Sequence, residues 1–156
     1  MAKTQKTQKR EKIYNLDNVT VSAFYCIGAE MPIYTLAHFI NKNADLNLVR
    51  EKDFEFVFDE NHFSTFFYYC RIEEYITEVY LINNYYQNKY IFKSLKNIPY
   101  IFIIDGQMSE EMIDSIILSI RRINGLAFIS KINQSQIENI SSFFHNIELH
   151  VQSISD

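Results

Sequence analysis

The amino-acid sequence predicts an α+β domain: a mixed, mainly antiparallel sheet covered by helices on one face. Three observations carry that prediction. Segments rich in β-branched and aromatic residues recur between residues 18 and 104, several of them separated by only two or three polar residues, as in a meander. Two segments carry apolar residues at helical spacing: Ile33, Leu36, Ala37 and Ile40, then Met112, Ile113, Ile116, Ile117, Ile120 and Ile123. Residues 98–132 read strand, helix, strand, a crossover that should be right-handed and leave its two strands parallel. The order is β-α-β-β-β-β-α-β-α, and a ferredoxin-like core with inserted strands is the topology that fits it best.

Residues 18–27, NVTVSAFYCI, form the first strand, which Gly28 ends. Pro32 suits the first turn of a helix that runs to about Asn43. Residues 46–49 lead into a β region. Within it, residues 54–58 (FEFVF) are a strand and Asp59-Glu60-Asn61 is a hairpin turn. Residues 63–71 return, Glu73-Glu74 makes the next tip, and residues 75–83 are the third strand of the meander. Residues 84–97 are polar and aromatic, a loop with a short extended piece at 90–92. Residues 98–104 are almost unbroken apolar sequence closed by Asp105-Gly106, the pattern of a strand buried on both faces. Pro99 cannot donate to a ladder, so it belongs at that strand's start, ahead of Tyr100. Ser109 caps the second helix, with Glu110 and Glu111 in the first turn, Arg121 and Arg122 in the last, and Asn124-Gly125 as its stop. Residues 126–132 form a strand. Asn133 with Gln136 reads as a capping pair for a last helix carrying Ile137, Ile140 and Phe144.

A chain of 156 residues fits one domain and can bury a core without metal or disulfides. The expected organisation is a disordered basic tail at residues 1–12, a single α+β domain at 13–150 and a frayed C-terminus at 151–156. The net charge of −4 is unevenly spread. Lys3, Lys6, Lys9, Arg10 and Lys12 against Glu11 give the tail +4, which leaves −8 on the rest. An acidic body argues against broad phosphate-backbone binding, while the tail is a candidate contact for RNA or an acidic partner. No window approaches the ~18 apolar residues of a membrane-spanning helix. The N-terminus lacks the apolar region of a signal peptide. Cys26 and Cys70 read as buried free thiols. A cytoplasmic protein is therefore expected.

The stretch YIFKSLKNIPYIFIIDG at residues 90–106 resembles the signature of the IPExxxVDY family, proteins of Bacteroidetes-type bacteria. Phe92-Lys93-Ser94 stands in the Ile-Pro-Glu place and Ile98-Pro99-Tyr100 in the Val-Asp-Tyr place. Leu95, Lys96, Tyr100, Asp105 and Gly106 suit the pattern. Upstream, Tyr34-Thr35-Leu36-Ala37, Ile40-Asn41-Lys42, Leu48, Arg50 and Asp53-Phe54-Glu55 follow the family's first helix and the link after it. The resemblance spans about residues 18–136. It implies a shared fold and no particular reaction. Ser94 and Pro99 replace the family's Glu and Asp, which favours a structural role for the signature.

Groupings that carry chemistry are sparse. Of His38, His62, His145 and His150, only the last two have zinc-ligand spacing, and no Cys-x-x-Cys accompanies them. No nucleophile elbow or Gly-rich phosphate loop is present, so neither a metal nor a cofactor is expected. The carboxylate pairs Asp59-Glu60, Glu73-Glu74 and Glu110-Glu111 each have a structural reason, at two hairpin tips and a helix start. The aromatics offer more. In Phe66-Phe67-Tyr68-Tyr69 one Phe–Tyr pair faces each side of a strand, and Tyr85, Tyr86 and Tyr90 sit in the loop. Tyr68, Tyr85, Tyr86 and Tyr90 are thus the candidate contacts for a protein partner or a homodimer. The leading expectation is a small binding or adaptor protein without catalysis. The alternatives are an RNA-associated accessory protein using the tail and the aromatic strands, and an unrecognised enzyme.

Overall fold

The structure, a computed structural model, describes residues 23–155. The predicted tail and the start of the first predicted strand lie outside the described residues. Among the described residues eight strands and three α-helices follow, in the predicted order but for two added strands of two residues: β1 (Ala23–Ala29), α1 (Ile33–Ala44), β2 (Val49–Phe58), β3 (Asn61–Ile72), β4 (Thr77–Asn83), the added β5 (Tyr85–Tyr86) and β6 (Lys89–Tyr90), β7 (Tyr100–Gly106), α2 (Glu110–Arg121), β8 (Leu126–Lys131) and α3 (Ile140–Ser155). The main sheet has six strands in the order β2-β3-β4-β7-β1-β8.

Every neighbouring pair is antiparallel, so the sheet is not mixed as expected. β7 and β8 do run in the same direction, as the crossover through α2 requires, but β1 lies between them. The split order β8-β1-β7-β4 is ferredoxin-like, and the long β2–β3 hairpin is the insertion. Asp59 and Glu60 turn that hairpin with φ of 50° and 64°, the left-handed pair that two-residue hairpins demand.

Helices cover both faces, which corrects the one-sided layer expected. β1, β4 and β7 are buried runs whose successive side chains alternate sides, so two layers must cover them. One face is mainly aliphatic: Tyr25, Ile27, Leu81, Phe102 and Ile104 pack under Leu36 and Ile40 of α1 and Ile113, Ile117 and Ile120 of α2. The other is aromatic: Phe24, Tyr80, Phe54, Phe56, Phe58, Phe63 and Phe67 pack under Phe143, Phe144 and Ile147 of α3. Phe143 alone lies 4.8–6.1 Å, ring to ring, from Phe54, Phe56, Phe58 and Phe92. Rings at such separations add to the burial energy of the side chains.

The chain's end also differs from expectation. Asn133 caps only the single 3₁₀ turn Gln134–Gln136, its Oδ1 accepting from the Ser135 N–H. Asn139 then turns the chain in the left-handed region (φ 57°), and α3 begins at Ile140. Over residues 151–155 the predicted fraying is replaced by helix, because Val151 is buried on the aromatic face and tertiary packing holds the last turn; Asp156 lies outside the described residues.

The Asp105-Gly106 end of β7 is a backbone clasp. Gly106 has φ of +152°, and a Cβ there would lie 2.4 Å from the Ile76 carbonyl oxygen. Next to it the Thr77 hydroxyl accepts from the N–H groups of Gln107 and Met108 and donates to the Tyr75 carbonyl. Gly106 is required by close backbone approach.

Candidate functional site

Residues 84–99 leave the sheet at the end of β4 and return at the start of β7, and one buried side chain organises them. The Asn84 amide donates to the carbonyls of Leu95 and Ile98, both at 3.0 Å, while its Oδ1 accepts from the Phe92 N–H at 3.1 Å. Its backbone N–H reaches the Pro99 carbonyl and its own carbonyl takes the Ile91 N–H. Each of these groups is buried with a partner, which makes a loop energetically acceptable against the sheet. The sequence gives no sign of which asparagine in Asn83-Asn84 does this.

Anchored this way, the chain builds the β5–β6 hairpin rather than the single extended piece expected at 90–92. Gln87 and Asn88 turn it with φ of 47° and 66°. Tyr85 opposes Tyr90 with ring centroids 5.1 Å apart. The Tyr85 hydroxyl donates to Asn88 Oδ1 at 2.7 Å, and the Tyr90 hydroxyl to Asn97 Oδ1 at 3.5 Å. Both rings border an open cleft of about 790 Å³ at the end of the sheet. Its walls come from the end of β1 (Gly28, Ala29, Glu30), Asn83, the hairpin tyrosines, Asn97, Pro99, and residues 125–128 at the start of β8.

Phe128 is the third aromatic of the cleft. Its ring lies over Gly28, where a Cβ would come within 2.3 Å of it. Gly28 therefore lies within a strand as the place where an aromatic crosses the backbone, rather than ending the strand as the sequence suggests. Tyr100 anchors the neighbouring turn by donating its hydroxyl to the Met31 carbonyl.

Two of the four predicted contact residues, Tyr85 and Tyr90, are brought together here. Tyr86 is half-buried, its ring 6.2 Å from that of His62. Tyr68 is buried at 8% exposure in the core beneath the first two helices, which corrects its expected place on an open face. The outward residue of that strand is Phe66, 41% exposed, with the Arg50 guanidinium 4.3 Å above its ring. Lys3, Lys6, Lys9, Arg10 and Lys12 lie outside the described residues.

A second polar group sits inside the sheet. The Glu78 carboxylate accepts from the Tyr80 hydroxyl at 2.6 Å, the Tyr69 hydroxyl at 3.2 Å and Arg71 at 3.1 Å. Burial first, then the Glu78 charge, pushes the Tyr80 and Tyr69 phenols well above their ordinary range. They remain protonated donors that hold a buried charge between β3 and β4. Burial likewise raises the thiols of Cys26 and Cys70, which disfavours the nucleophilic thiolate. The two cysteines belong to opposite faces of the sheet. Among the described residues no three His, Cys, Asp or Glu side chains group as metal ligands, and no helix is long and apolar enough to cross a membrane.

Compared with protein-family models, curated proteins and solved structures, the chain matches none.

Proposed function

We propose that the protein is a non-catalytic binding module of the cytoplasm, which holds a protein partner or a second copy of itself at the β5–β6 hairpin and the cleft beside it. The observation that carries this reading is the set Tyr85, Tyr90 and Phe128 around one concave opening, with Tyr85 and Phe128 more than two-fifths exposed. Aromatic side chains around a concavity are the usual anchors of a protein contact. Protonated thiols and phenols, committed to packing and to Glu78, support a binding rather than a catalytic role. We also propose kinship with the IPExxxVDY family on the residues quoted above; the clasp at Gly106 supports the structural role inferred for the signature.

The test compares the full chain with a Tyr85→Ser/Tyr90→Ser double variant, in crosslinked capture from native lysate and in sedimentation velocity. A reproducible partner or dimer that the double variant loses is the expected result. Capture and sedimentation unchanged by the double substitution would overturn the reading.

A further inference from the structure

The partner's chemistry can be taken further, on the assumption that the cleft is the contact site. We propose that the cleft receives an extended basic segment of a partner protein: the segment pairs along the open edge of β8 and sets an arginine or lysine side chain between Phe128 and the Tyr85–Tyr90 pair, facing Glu30. Three observations converge on it.

The first is the edge. Among the described residues β8 pairs only with β1. The Ile132 N–H donates to the Phe24 carbonyl at 2.8 Å, which marks these two as a hydrogen-bonded pair. Such pairs alternate along an antiparallel ladder, so Ser130 and Phe128, opposite Cys26 and Gly28, also turn their backbone groups inward. Ile129 and Lys131 then point their N–H and C=O groups to the open edge. A strand added there would be held by main-chain bonds.

The second is the cleft's chemistry. Glu30 is the one charged residue among those that line it. The remaining polar groups include the side-chain amides of Asn83 and Asn97, whose oxygens accept, and three aromatic rings whose faces attract cations. Arg121 and Arg122, at the end of α2, stand outside the lining. The body beyond residue 12 carries −8, so a basic segment is also the partner its long-range field favours.

The third is register. A partner residue opposite Phe128 shares its face of the sheet. Backbone pairing at the β8 edge therefore delivers alternate side chains toward the cleft that Phe128 borders.

The probes are fluorescein-labelled nine-residue Thr/Val peptides with a central Arg or a central Glu, read by anisotropy against the full chain at low salt. The Arg peptide should bind roughly tenfold more tightly than the Glu peptide, and Glu30→Gln should remove most of that preference. Lys131→Pro deletes an edge N–H at an exposed position; it should weaken binding roughly tenfold relative to Lys131→Thr. An Arg peptide N-methylated on the residues facing the edge should lose binding to the unaltered protein, a check that needs no variant to fold. Equal binding of the Arg and Glu peptides, or no difference between Lys131→Pro and Lys131→Thr, overturns the inference. So does a dimer that Lys131→Pro dissolves, since the occupant is then a second copy. Failure of both peptides, while Tyr85→Ser/Tyr90→Ser still abolishes partner capture, overturns the basic-strand inference and leaves the binding-module reading standing.

Discussion

The two edges of the sheet are built differently. β2 has ten residues, VREKDFEFVF, five of them charged, and it is bulged between Glu51 and Phe54. The Lys52 carbonyl at that bulge is bonded by the His150 imidazole at 2.8 Å, and Arg50 pairs with Asp53 while covering Phe66. β8 has six residues, LAFISK, with a single charge at its end and only Ile129 buried. Bulges, charges and covered carbonyls are the means by which a sheet discourages strand addition. This protein uses all of them at β2, whereas β8, which also shifts register against β1 between Gly28 and Ala29, is almost neutral and lies beside the aromatic cleft. Among the described residues β8 is thus the less guarded edge, the one the proposed partner strand would use.

The largest test of that contrast is in stability. Phe54 of β2 is fully buried and touches the rings of Phe56, Phe67 and Phe143. Phe54→Ala should cost about 3–5 kcal/mol in urea unfolding, the range for emptying an aromatic core site. Phe128→Ala on β8 removes a ring that is 41% exposed and should cost about 1 kcal/mol or less. Similar costs at the two sites would show that β8 is needed by the fold as much as β2, and would break the comparison.

Much of the fold was legible in the sequence, though not which strands form its edges, and the part that was not has a physical reason. The element order follows from local pattern, because alternation, helical spacing and caps are properties of neighbours in the chain. The apolar run ending at Asp105-Gly106 is the buried strand it reads as. The second helical layer was implied by residues 98–104, whose unbroken apolar run reads as buried on both faces and so needs a cover on each; the local pattern does not tell which helix lies on which side. Tyr68 was misplaced for a related reason: Phe66-Phe67-Tyr68-Tyr69 divides evenly between faces, and which face a helix covers depends on distant residues. In the cleft, Tyr85 and Tyr90 were visible as aromatics. Phe128, Glu30 and Gly28 were not, since they meet the hairpin only through tertiary pairing of strands about a hundred residues apart.

Gly28 offers a finer probe of the open edge. An alanine Cβ would lie 2.3 Å from the Phe128 ring, and that ring is the free end of an exposed side chain. Gly28→Ala should therefore displace the ring at a cost of about 1–2 kcal/mol, the overpacking range, rather than unfold the strand. In the Gly28→Ala/Phe128→Ala double variant most of that cost should vanish, giving a coupling energy of about 1 kcal/mol in a double-mutant cycle. Strict additivity would mean that the ring and the glycine do not form one unit.

Charge removal asks whether β2 is guarded in fact. Replacing Arg50, Lys52 and Glu55 by threonine touches exposed side chains only, so each change should alter stability by no more than about 0.5 kcal/mol. Light scattering should nonetheless show concentration-dependent association that the parent lacks, as the β2 edge becomes a template for pairing. A triple variant that stays as monodisperse as the parent would leave the bulge, the His150 contact and the remaining charges of Glu51 and Asp53 as the guards.

That contact has its own signature in pH. Burial holds the His150 imidazole below its ordinary range, and the nearby Lys52 charge lowers it further, against the raising effect of its bond to the Lys52 carbonyl. The unfolded chain's histidine protonates near about 6.5. Because the folded value is depressed, the unfolded state takes up the proton first as pH falls. The stability that neutral His150 contributes is thus fully present above about pH 6.5 and is lost as pH drops through the folded value. His150→Gln keeps a donor for the Lys52 carbonyl but cannot titrate. The difference in unfolding free energy between parent and His150→Gln should accordingly be flat above neutrality and shift against the parent below it. A flat His150→Gln curve, or one that shifts in the parent's favour on acidification, would remove the imidazole from the devices that close the β2 edge and leave the contrast to the charges.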